Sequence, residues 1–266
     1  MHAIPGQPID RRAREKTKEM KTENLSDTIT IINADCREWA GVADAVISDP
    51  PYGMNWDGRV TRGPSDPRHG TKKDIPTRHF GQRIVNDNSE FDPAPWMAFD
   101  SVVLWGWLHF AQRLPKGSAL VWLKRYDEGF GSFLSDADIA WMKGGCGVYC
   151  RRDVSLQGES SDRMHPTQKP VGLMSWCMDK AKVAPGAIVL DPYMGSGTTG
   201  IACIRTGRRF IGIEIDEHHY QTARQRLLNE LAQTNLFRQD EDARAGQGEC
   251  PGTACNSASM QVALDI

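Results

Sequence analysis

The stretch Asp49-Pro50-Pro51-Tyr52-Gly53 follows an apolar run, residues 44–48, that reads as a buried strand. In open α/β sheets ligands gather beyond the carboxyl ends of the strands, so an acid placed there is well sited for chemistry. Asp49 precedes a proline, which pushes its backbone out of the helical region. Pro50 and Pro51 have fixed φ and no N–H, so the carbonyls around them are fixed in direction. One carboxylate plus one rigid carbonyl forms a pair of acceptors suited to an –NH2 group on a planar ring. Tyr52 can lie against such a ring, because stacking between a base and an aromatic contributes about 1–3 kcal/mol. The plain alternative is a strand ending in a proline turn with Asp as turn-former. The direct succession of apolar strand, Asp, two prolines and Tyr favours the functional reading.

A second constellation, Asp191-Pro-Tyr193-Met-Gly195-Ser196-Gly197-Thr198-Thr-Gly200, lies between an expected strand and an expected helix. Gly195 and Gly197 allow a tight turn and close approach to a ligand. The helix start behind them offers free N–H groups to a negative group. The phosphate-gripping loop that needs a Gly-Lys-Ser/Thr is excluded, and the glycine spacing differs from the dinucleotide fingerprint. Glu214 closes the next expected strand, about 20 residues on, where an acid commonly binds ribose hydroxyls. A ligand with a ribose and an anionic end but no pyrophosphate fits, and S-adenosylmethionine (SAM) has that form. A structural glycine turn with a solvent-facing Glu214 is the alternative.

The elements that must carry these groups are legible in part. Residues 28–33 read as a β-branched strand, and residues 34–39 as the start of a short helix with Asp35 near its cap. Residues 102–105 form a short apolar run, further strands are expected at 118–124 and 137–142, the latter followed by Gly144, Gly145 and Gly147 and then residues 148–150, and a short helix is expected at 109–114. A helix from Pro170 stops at Pro185-Gly186. Then come a strand at 187–190, a helix from 198 to 205, a strand at 209–215, and a long helix capped by Asp216 and reaching about residue 233. This βαβα run predicts an α/β fold with a doubly wound, mostly parallel sheet of Rossmann-like type.

Residues 1–27 read as a flexible basic tail, either solvated or an arm touching phosphates, and 235–266 as a flexible tail. Residues 54–95 read as a long inserted loop, which in a compact domain is usually functional or disordered. Within it Arg59, Arg62, Lys72, Lys73 and Arg78, with Trp56 interleaved, fit a DNA-contacting flap; a solvated insertion fits as well.

Composition bounds the rest. The chain has 266 residues, 39% hydrophobic and 25% charged, with a net charge of −2. That is enough for one large α/β domain, and any nucleic-acid contact must come from local basic patches. No apolar run approaches the roughly 18 residues of a membrane span, and no secretory h-region is visible. Seven scattered cysteines point to reduced thiols and a cytoplasmic setting. Cys146 and Cys150, with Cys250 and Cys255, lack the tight pairing of a zinc motif, so no metal is expected.

Asp49-Pro-Pro-Tyr52, together with Asp191-Pro-Tyr-Met-Gly-Ser-Gly-Thr-Thr199, resembles the DNA adenine-N6 methyltransferases. The catalytic motif precedes the cofactor motif, which is similar to their β-class, circularly permuted order. His165-Pro-Thr-Gln-Lys-Pro170 and Arg208 to Asp216 look like further segments of that class, and residues 104–111 and 120–125 resemble its compact phage-type members. Tyr193 stands where the family usually has Phe. The resemblance covers about residues 28–232 and implies a methyltransferase domain over 28–234 that uses SAM and acts on double-stranded DNA. It implies that Asp49 and the Pro50 carbonyl, with Pro51 holding the turn, accept the two hydrogens of the target amino group. Tyr52 would stack on the flipped base. Asp35, Lys169, Asp191, Tyr193, Gly195, Ser196, Gly197, Thr198 and Glu214 are the cofactor-side candidates, with Thr167 and His165 near them. Cytosine N4, adenine in RNA, or a non-catalytic binding role remain as alternatives, and pairing into a homodimer is left open.

Overall fold

The computed structural model describes residues 20–55, 87–131, 135–155 and 168–246, with backbone alone for 235–246. Its strands are β1 (Lys21–Asn24), β2 (Ile29–Asn33), β3 (Ala45–Ser48), β4 (Ser101–Trp105), β5 (Gly117–Leu123), β6 (Ala137–Arg152), β7 (Ile188–Asp191) and β8 (Arg209–Glu214). Its helices are α1 (Val171–Lys180), α2 (Thr198–Arg205) and α3 (Glu217–Gly246). The strands form one sheet in the order β1-β2-β8-β7-β3-β4-β6-β5. The five from β2 to β4 run parallel, which is the mixed α/β architecture expected from the alternating pattern.

These strands are short apolar runs because both of their faces are covered. On one face Ile29, Ile31, Ile47, Val103 and Val189 pack against α1, α2 and α3 through Leu173, Ile201, Tyr220 and Leu227. On the other, Ile32, Val46, Leu104, Leu190 and Ile213 meet Cys36, Phe91, Trp96 and Phe110. That second layer is built around single 3-10 turns, Cys36–Glu38, Ala94–Ala98, Trp107–His109 and Ala111–Arg113.

Several expectations on local structure change. Residues 21–24, expected within the N-terminal tail, form edge strand β1, antiparallel to β2. Its sequence is polar and carries no periodic signal. It is held by backbone pairing and by Glu23, which accepts from Arg224 at 2.7 Å and from the Tyr220 hydroxyl at 3.1 Å. The helix expected at 109–114 is two 3-10 turns broken at Phe110, whose φ of −142° is not helical. The strand expected at 137–142 runs on through 148–150 to residue 152 as β6. Its first half pairs with β5 in descending register, from Gly117↔Lys143 to Leu123↔Ala137, and its second half in ascending register, from Ala119↔Val148 to Leu123↔Arg152. The chain therefore wraps round the start of β5 and flanks it on both sides, turning at Gly144 and Gly145. α3 runs to Gly246, past the expected end near 233. Among the described residues no helix is long and apolar enough to cross a membrane.

Candidate active site

The carboxyl ends of β2, β3, β7 and β8 surround a cavity of about 990 Å³. Asp49, Pro50, Pro51 and Tyr52 line it, as do Asp35, Lys169, Asp191, Tyr193, Gly195, Ser196, Thr198 and Glu214. Gly197 sits just behind this wall, at the N-cap of α2. Trp56, Arg59, Arg62, Lys72, Lys73 and Arg78, and likewise His165 and Thr167, lie outside the described residues.

The acceptor loop is fixed from three sides. Asp49 Oδ2 receives Lys169 Nζ at 2.7 Å, and Asp49 Oδ1 receives the Tyr52 hydroxyl. Asp87, at the far end of the inserted segment, accepts the Gly53 and Met54 amides on one carboxylate oxygen, at 2.8 and 3.1 Å. Burial, then the charge of Asp49, push the Tyr52 phenol well above its ordinary range, so it stays a donor. Lys169, expected beside the cofactor, has its ammonium on Asp49. It is only 5% exposed and also lies 3.7 Å from Asp138 Oδ2, with the Trp105 and Trp122 rings at 5.5 and 6.0 Å. Indole faces attract a cation, which helps hold a buried ammonium. Lys124 bonds the other oxygen of Asp138 at 2.8 Å. Two carboxylates and two ammonium groups thus alternate from β5 to the acceptor loop.

The glycine turn is fixed from below. Asp191, at the end of β7, accepts from Ser48 Oγ and Thr199 Oγ1, both at 2.6 Å, and from the Tyr193 amide at 3.2 Å. With three donors from the protein and only 3% exposure, this residue shapes the loop. Burial raises its carboxyl to about 6 against the opposing pull of those donors. Gly195 and Gly197 have φ of 50° and 79°, the left-handed region that glycine enters without strain. A side chain at Gly195 would meet nothing within 4 Å, so open space stands before the turn. Ser196 is held by Arg226, which donates to its carbonyl and hydroxyl oxygens.

Glu214 ends β8 and closes the cavity. Its two oxygens accept the Gly195 amide at 3.0 Å and the Asp216 amide at 2.9 Å. Each oxygen keeps a further lone pair for a hydroxyl. Burial raises its carboxyl to about 7, with the two amides opposing. Asp35 caps its 3-10 turn and is forked by Arg37, whose guanidinium holds the carboxyl below the usual range. Trp39, Trp96, Phe99 and Tyr193 add an aromatic wall.

The amino-acid sequence alone did not single out Asp87, Asp138, Gly106 or His109. The His109 ring stacks on Tyr52 with centroids 4.5 Å apart and planes 7° apart. Asp87 offered only one weak signal, an acid where the inserted segment regains apolar residues. The others are joined to the site by sheet register, which no local pattern encodes.

Residues 148–225 match the N6_N4_Mtase family model, described as DNA methylase. The matched stretch carries Lys169, the glycine turn and Glu214. Over 68 residues the chain is 46% identical to YubD of Escherichia coli (strain K12), provisionally named a methylase; the match covers 26% of this chain and 30% of that protein. Over 63 residues it is 48% identical to the type II methyltransferase M2.DpnII of Streptococcus pneumoniae, covering 24% of this chain and 23% of that protein. The chain thus spans less than a third of the length of these curated relatives. Among solved structures, M1.HpyAVI in its SAM complex overlaps 75% of this chain and 100% of that one, at 23% identity and a TM-score of 0.47. The cytosine-N4-specific PvuII DNA methyltransferase overlaps 74% and 86%, at 12% identity and a TM-score of 0.47.

Proposed function

We propose that this protein is a SAM-dependent DNA methyltransferase that modifies the exocyclic N6 of a flipped adenine. One observation carries the reading. The acceptor loop and the glycine turn share one cavity and are tied by the 2.6 Å hydrogen bond between Ser48 and Asp191, 143 positions apart. An amino-group clamp and a nucleoside cradle so joined bring two substrates together, and positioning of this kind lowers a barrier without a covalent intermediate.

The residues present fit SAM. Open space faces Gly195, and Glu214 retains acceptor capacity at the end of β8. The turn at 195–197 and the start of α2 suit the methionine carboxylate, Glu214 the ribose hydroxyls, and the aromatic wall near Asp35 the adenine. When bound, SAM supplies a methyl group made electrophilic by its sulfonium. The chain's own part is to orient the acceptor: Asp49 and the Pro50 carbonyl accept the amino hydrogens and raise the electron density on nitrogen. Tyr52 stacks on the base, and Lys169 holds the Asp49 carboxylate in place. Trp56, Arg59, Arg62, Lys72, Lys73 and Arg78 serve as the DNA contacts in this account. Double-stranded DNA is the substrate and the cytoplasm the setting.

Cytosine N4 is also an exocyclic amine, and the family model's name covers both targets. Adenine is favoured here because the motif begins with Asp49, where the cytosine enzymes more often resemble one another in having Ser. The test is Asp49→Ala. Methyl transfer to DNA should be abolished while SAM affinity stays near the wild-type value; turnover at the wild-type rate would overturn the role of Asp49.

A further inference from the structure

We infer that His109 is a positioning residue for methyl transfer, fixing the plane of the Tyr52 ring against which the target base stacks. This rests on the reading of Tyr52 as the base platform. The register of the sheet sets the pair up. β3 and β4 are parallel with Ser48 opposite Leu104, so the residues after each strand leave the sheet side by side. The first chain continues as the acceptor loop; the second turns at Gly106 into the 3-10 turn Trp107–His109.

Three contacts then confine the Tyr52 ring. Its hydroxyl is on Asp49. Gly106, with φ of 80°, lets the β4 backbone approach so closely that a Cβ there would stand 2.0 Å from Tyr52 Cε1. Gly106 is itself pinned by its amide on Ile139 O at 3.1 Å, and the turn is closed by the His109 amide on Gly106 O at 2.9 Å. His109 lies parallel to Tyr52, 4.5 Å away. Tyr52 lines the cavity and His109 does not, so the imidazole backs the ring from outside the site. A ring held at its hydroxyl and along one edge can still tilt about that edge. A parallel ring at its back removes this freedom, and offset stacks of this kind are favoured arrangements of aromatic pairs. A base arriving on the cavity side therefore meets a platform already in plane, so the ordering is complete before binding.

The experiment compares wild type, His109→Ala and His109→Phe. For each, it measures SAM affinity, single-turnover methyl transfer and the NMR signals of 13C-ring-labelled tyrosine, with Tyr52→Phe assigning the Tyr52 signal among the 5 tyrosines. His109→Ala should keep SAM affinity and lower the single-turnover rate about two- to tenfold, the rate equivalent of one aromatic stack. Its Tyr52 ring signal should lose the shift imposed by its neighbour. His109→Phe should restore the rate to within about threefold, because the flat ring and not the imidazole nitrogens carries the effect. A wild-type single-turnover rate in His109→Ala, or equal damage in His109→Phe and His109→Ala, would overturn the inference. Should wild type itself transfer no methyl to DNA, the proposed function fails. The Tyr52 signal still decides whether His109 fixes the ring: an unmoved signal in His109→Ala overturns that too.

Discussion

Glu214 makes the stability of this protein depend on pH in a way that can be separated from every other group. Burial raises its carboxyl from 4.5 to about 7, and the side chain is 9% exposed. The difference, about 2.5 pH units at 1.36 kcal/mol per unit, corresponds to about 3 kcal/mol. Below pH 4.5 the group is protonated in both folded and unfolded chains and contributes nothing. Between 4.5 and 7 the unfolded chain has released its proton while the folded chain keeps it, so stability falls as pH rises. Above 7 both are ionised and the full cost of the buried charge remains. Glu214→Gln removes the titration while keeping the shape. The new amide will face one of the Gly195 and Asp216 amides, a cost of about 1–2 kcal/mol that does not change with pH. The assay is urea unfolding of both proteins at several pH values. Wild type should lose about 2–3 kcal/mol more than Glu214→Gln between pH 5 and pH 8, since most of the release falls in that window. Asp191, also raised by burial, is common to both proteins and cancels. Parallel curves for the two proteins would refute the buried, strained carboxyl as the state of Glu214 in the free protein.

Other expectations rest on single contacts. Lys169→Met should leave the partly buried Asp49 without its cation, costing about 3 kcal/mol in thermal or urea unfolding and lowering methyl transfer; unchanged stability and rate would remove Lys169 from the acceptor site. Thr199→Val leaves one oxygen of buried Asp191 without a donor and should cost about 2 kcal/mol, read by unfolding, with weaker SAM binding as the turn loosens. Deleting residues 60–80 should reduce DNA affinity and flatten its salt dependence, because several Arg and Lys go with them; unaltered binding would return that segment to a solvated insertion.

The two motifs were legible because each sits at a break in a strong local pattern. Apolar runs 45–48 and 188–190 are strands on the strength of composition alone, and the residues that follow, Asp49-Pro-Pro-Tyr and Gly195-Ser-Gly197, cannot continue a strand. Convergence of the motifs in one cavity follows from a parallel sheet, whose strands all end on the same side. What escaped was set by pairing across the sheet or by single long-range charges. β1 is polar, and only its partner β2 and the Glu23–Arg224 pair make it a strand. Of β6 only 137–142 reads as a strand, because the wrap round β5 is dictated by register, not by periodicity. Lys169 and Asp49 are 120 positions apart, and the Asp138 and Trp105 groups that share the ammonium come from two other strands. His109 looked like a residue of a short helix; its partner is a tyrosine on the neighbouring strand's loop. Local pattern thus reveals which segments carry chemistry, while the shell that orients them depends on which strands become neighbours.

The most direct test of the account is to incubate the protein with methyl-labelled SAM and unmethylated double-stranded DNA of mixed sequence, then digest the DNA and separate its nucleosides. Label is expected in N6-methyldeoxyadenosine, absent when Asp49→Ala replaces wild type. Label in N4-methyldeoxycytidine would keep the cavity and its clamp but contradict the adenine target. Bound SAM with no label in any DNA nucleoside would contradict the methyltransferase reading itself.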